Sequence, residues 1–85
     1  MIMRFKITAN FKDTNQPSVS ENADSGPGAV QVAHALRNRF AALKSLHVDD
    51  AQMRVRDLYA PTPNGLMYLF TVPMNLNEKV QIKAN

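Results

Sequence analysis

The chain contains no cysteine, which excludes disulfide stapling, thiolate zinc sites, iron–sulfur clusters and thiol catalysis. It also lacks any window near the roughly 18 uninterrupted apolar residues that span a bilayer, and Arg4 and Lys6 interleave with the first apolar residues instead of preceding a signal-peptide core. A cytoplasmic protein with no membrane contact is the expectation. Glycine is scarce, three in all, and Ser25-Gly26-Pro27-Gly28 is too poor in it for a phosphate-cradling loop. Internal repeats and low-complexity tracts are missing as well.

Raw material for catalysis is equally thin. Neither His34 nor His47 has a second histidine three or four residues away, so the spacing of a metal site is missing. His47 with Asp49 and Asp50 reads as a helix-end cation beside an aspartate turn. Ser45 and Thr71 have no nucleophile context. These absences lead to an expectation of no metal, no cofactor and no enzymatic activity.

What is present suits a small globular protein. Of 85 residues, 45% are hydrophobic and 20% charged, with a net charge of +3, a balance that supports a packed core in a single domain spanning residues 1–85. Met3, Phe5, Ile7, Ala9 and Phe11 alternate with Arg4, Lys6, Thr8 and Asn10, the period of a half-buried strand. Residues 12–27 hold only Val19 and Ala23 as apolar side chains and many turn formers, so a mobile loop is expected there. From about Gly28 to His47 the spacing of Ala29, Val32, Ala33, Leu36, Phe40 and Leu43 predicts a helix, capped by Asp24 or Ser25 and admitting Pro27 in its first turn.

Four further segments follow. Gln52 to Ala60 alternates Met53, Val55 and Tyr59 with Arg54 and Arg56 and predicts a strand. Pro61-Thr62-Pro63-Asn64-Gly65 is a hairpin turn. Leu66 to Val72, apolar except at Thr71, predicts a central strand ended by Pro73. Val80 and Ile82, alternating with Lys79, Gln81 and Lys83, suggest a short edge strand. The predicted fold is α+β: one helix on one face of a three- to four-stranded, mainly antiparallel sheet, in the order β-α-β-β with an optional last strand, leaving the other face uncovered.

That uncovered face carries the functional expectation. If the odd residues of the first strand meet the helix, Arg4 and Lys6 point outward, and Arg54 and Arg56 should join them in a basic surface. With Leu66, Tyr68, Phe70 and Val72 toward the helix, Met67 and Leu69 lie among these cations as an apolar strip with a charged rim, the make-up of a protein interface. The leading expectation is a small non-catalytic interaction module, binding or inhibitory, that takes a protein partner or a second copy of itself through Arg4, Lys6, Arg54, Arg56, Met67 and Leu69. If the strand faces the other way, Tyr68 and Phe70 could stack on unpaired bases beside those cations, with Arg37 and Arg39 of the helix as further contacts. Nucleic-acid binding is therefore the alternative.

Overall fold

The structure, a computed structural model, describes residues 3–74. Six elements follow in order: β1 (Phe5–Phe11), β2 (Val19–Ala23), α1 (Gly26–Arg39), β3 (Leu43–Asp50), β4 (Val55–Thr62) and β5 (Gly65–Pro73). The strands form one sheet in the order β2-β1-β3-β4-β5 with every neighbouring pair antiparallel. The class is α+β with one helix on one face, and the described residues hold five strands where three or four were expected. The expected strand around Val80 and Ile82 lies outside the described residues.

The core sits between α1 and the strands β2, β1 and β3. Phe5, Ile7, Ala9 and Phe11 of β1 face the helix, as their alternation requires, and join Ala23, Ala29, Ala33, Leu36, Leu43, Leu46 and Val48. Ile7, Leu36 and Leu46 are sealed from solvent, each contributing about 1.5–3 kcal/mol of apolar burial. Edge-on packing of Phe11 against Phe40, ring centroids 4.9 Å apart, closes the core at the C-terminal end of α1.

Helix α1 starts where expected and stops early. The Ser25 hydroxyl accepts a hydrogen bond from the Gly28 amide at 3.1 Å, and Pro27 occupies the first turn. A side chain at Gly28 would press on that hydroxyl, its Cβ lying 3.0 Å from Ser25 Oγ. The helix ends at Arg39, with Phe40 already extended, and the segment read as its last turns is instead β3. Leu43 and Leu46 are spaced by three because β3 carries one extra residue, Lys44, where Asn10 pairs with Ser45 but Phe11 pairs with Leu43. The spacing that suggested more helix is that of Phe40 and Leu43, three apart, which both meet the core from either side of the turn between α1 and β3.

Two other segments depart from expectation. Val19–Ala23, inside the stretch read as a loop, pairs with β1 from Ala9↔Val19 to Phe5↔Ala23. Its ladder is made by backbone groups, and its mostly exposed side chains Ser20, Glu21 and Asn22 left no hydrophobic signal to read. The strand expected to be central, β5, is at the sheet edge among the described residues. The hairpin before it has the expected place, with Thr62 pairing Gly65 around Pro63 and Asn64; Gly65 has φ +154°, a conformation costly for any other residue.

Candidate interaction surface

Strands β4 and β5 form an arm whose Tyr59 and Leu66 pack against the edge of the core and whose tip is tied to α1. There Arg37 donates to three carbonyls of the turn: from Nε to Gly65 at 3.2 Å, and from Nη2 to Pro63 at 3.0 Å and to Thr62. The guanidinium suits this because its planar fork presents several donors at once. Arg37 thus holds the hairpin against the helix. Nearer the helix N-terminus, Ala29, Val30 and Ala33 stand off from Tyr59 and Asp57, leaving a cleft of about 210 Å³.

A bulge decides what the arm shows. Leu58 pairs with Phe70 and Tyr59 with Tyr68, so Leu69 is an extra residue in β5. Simple alternation puts Leu66, Tyr68, Phe70 and Val72 on one face. The bulge splits them: by their pairing, Leu66 and Tyr68 share the helix side with Tyr59, Asp57 and Thr71, whereas Phe70 and Val72 join Met67, Leu58 and Ala60 on the opposite face. On the helix side Tyr68 and Tyr59 meet edge-on at 5.8 Å, and a hydrogen-bonded chain runs from the Tyr68 hydroxyl to Thr71, 2.5 Å away, and on to the Asp57 carboxylate. Burial, with the charge of Asp57 adding to it, raises the pKa of Tyr59 and keeps its phenol protonated.

Across β2, β1 and β3 the uncovered face is polar. Thr8 and Ser20 exchange a hydrogen bond at 3.1 Å. Asn10 accepts from Ser18 at 2.8 Å and turns its amide toward Ser45 and His47 Nδ1, both at 3.3 Å. His47 therefore belongs to β3 and not to a helix end. Burial lowers its pKa, helped by the Arg56 cation and opposed by Asp49.

The expected basic face is largely neutralised. Arg4 grips Asp50 through two bonds of 2.9 Å, and Asp50 also accepts from the amides of Gln52 and Met53. The Arg4 guanidinium, foremost among these, lowers the Asp50 pKa to about 2. Arg56 donates to Asp49 at 2.6 and 3.2 Å. Arg54 is not a strand residue: it closes the turn after β3 with φ +57° and donates its amide to the Asp50 carbonyl, so it does not share a face with Lys6. Of the helix cations, Arg37 is committed to the hairpin, while Arg39 lies over the Phe40 ring and only 3.9 Å from Glu21. The aspartates that pair with Arg4 and Arg56 are placed there by β3, where a turn is expected from the sequence.

Comparison of the chain with known protein families, curated proteins and solved structures gives no match. What the surface does rests on its own chemistry. Among the described residues no three histidine, aspartate or glutamate side chains gather at metal-binding distance, and no helix is long and apolar enough to cross a membrane. The exposed apolar groups concentrate on β5: Met67 is 52% accessible, Tyr68 55%, Leu69 42% and Phe70 52%. Met67 and Leu69 were expected on this surface. Tyr68 and Phe70 join them on the same edge but on opposite faces, and Leu58, Ala60 and Val72, which complete the apolar face, were missed because the bulge that aligns them has no residue signature.

Proposed function

We propose that this protein is a small non-catalytic protein-interaction module that binds through the β4–β5 arm. The observation that carries the reading is the run of four large apolar side chains, each roughly half exposed, on an edge strand that contains no charged residue. Monomeric proteins blunt such edges with charge, shortness or a cover, and exposed apolar strips of this kind mark interaction sites. Arg4, Lys6 and Arg56 sit nearer the polar half of the sheet and would supply a rim, with the two arginines already oriented by Asp50 and Asp49.

Nucleic-acid binding through a basic sheet is the weaker reading for the same reason: phosphate contacts need cations that are not already matched by carboxylates. The two readings separate in one experiment. Immobilised protein should retain a protein partner after nuclease treatment, and Met67→Lys with Leu69→Lys should abolish that capture while leaving the circular dichroism spectrum unchanged. Salt-sensitive binding of mixed-sequence oligonucleotides, lost in Arg56→Ala, would reverse the choice.

A further inference from the structure

Among the described residues β5 has a strand beside it on its β4 side alone, which leaves its outer edge open to pairing. Its nine residues, Gly65–Pro73, hold no charge, so an identical strand laid against it brings no like-charge pair into the ladder. The other edge of the sheet differs: β2 has five residues, including Glu21, and little apolar surface. We infer that two chains associate through antiparallel pairing of β5 with β5 of a second copy about a two-fold axis, joining the five described strands of each copy into one continuous sheet with α1 of both copies on the same side. This inference rests on the interaction reading above and names the partner for that same edge.

The bulge at Leu69 sets the register. Side chains that meet across an antiparallel pair must leave the sheet on the same face. Because the bulge reverses the alternation, residues N-terminal and C-terminal to Leu69 match faces only when their numbers differ by an odd amount. The register that obeys this rule and leaves Pro73, which has no amide to donate, outside the ladder pairs Gly65 with Val72, Leu66 with Thr71 and Met67 with Phe70 of the second copy, the axis passing between Tyr68 and Leu69. Each pair sets a larger side chain against a smaller or a flexible one, and each occurs twice by symmetry.

Size fixes the expected strength. Four half-exposed side chains of roughly 200 Å² each expose about 400 Å² per protomer, and edge pairing, which leaves both sheet faces open, covers only part of that, well short of the roughly 800 Å² per partner of a standard stable interface. A weak, reversible dimer is expected.

Sedimentation of the full chain from low micromolar to millimolar concentration should show a monomer–dimer equilibrium. Met67→Lys with Phe70→Lys opposes like charges twice across the axis and should leave a monomer, whereas Met67→Lys with Phe70→Glu makes those pairs complementary and should restore a salt-sensitive dimer. Should the charged variants fail to fold, cysteines read the register independently in a chain that has none: Met67→Cys with Phe70→Cys should oxidise to a covalent dimer, and Met67→Cys alone should not. A monomer at every concentration overturns the inference, as does a dimer that the paired cysteines never link. A monomer that still captures a different protein through β5 overturns self-pairing but leaves the interaction reading standing; a monomer whose β5 variants alter no binding removes both.

Discussion

Strands β2, β1 and β3 lie under a helix and present a polar outer face, whereas β4 and β5 extend beyond the helix and present apolar side chains on both faces. The two halves share one hydrogen-bonded sheet, so backbone pairing cannot account for the contrast. Side-chain burial does. Ile7 and Leu46 are fully enclosed by α1, while Phe70 on the same sheet is 52% exposed. The fully enclosed side chains belong to the helix-backed half, and under the proposed function the arm makes the contact, so changes in the two halves should differ in what they cost.

The largest expected effect follows from that division. Leu46→Ala should cost about 2–5 kcal/mol of stability, because it empties an enclosed site, whereas Phe70→Ala, measured by denaturant unfolding at a dilution that keeps the chain monomeric, should stay within about 0.5 kcal/mol. Equal losses would show that the arm is part of the core and would break the comparison.

An intermediate effect is expected where the halves are joined. Arg37→Met keeps the aliphatic stem but removes the donors to Thr62, Pro63 and Gly65, and should cost about 1–3 kcal/mol. Amide hydrogen exchange should quicken around residues 62–66 and stay unchanged in β1 and β3. The same experiment reads the 12–27 segment: amides of Val19–Ala23 that pair with β1 should exchange slowly and those of residues 13–17 fast.

The smallest effects come from pH and arise in the helix-backed half. Asp50 has its pKa lowered from 3.8 to about 2, so its contribution is fully present above the unfolded value and is lost as pH falls toward 2. His47 is lowered from 6.5; the unfolded chain takes up its proton first, so stability should decline as pH drops below that value. Asp50→Asn should flatten the acid limb of a stability–pH curve and His47→Gln the limb near neutrality, both without altering the exposed arm. An acid limb that survives Asp50→Asn unchanged would overturn this assignment.

The alternation of Met3 to Phe11 determined β1 and its buried face, the spacing of Ala29, Ala33 and Leu36 determined the helix, and Pro63-Asn64-Gly65 determined the hairpin. Each is a local pattern in which one residue's chemistry fixes one backbone choice or one face. Tertiary structure decided what no local pattern carries. Two inserted residues, Lys44 and Leu69, became bulges only because their partner strands supply the register; pairing with β1 made β3 of an apparent helix end, and the bulge at Leu69 divided the residues of β5 between two faces. Strand order, likewise, put Asp49 and Asp50 within reach of Arg56 and Arg4 and so removed a basic patch that composition alone implied. A strand's neighbours are chosen by long-range pairing and burial, and the outer place of β5 among the described strands is therefore set by the fold and not by the sequence of that strand.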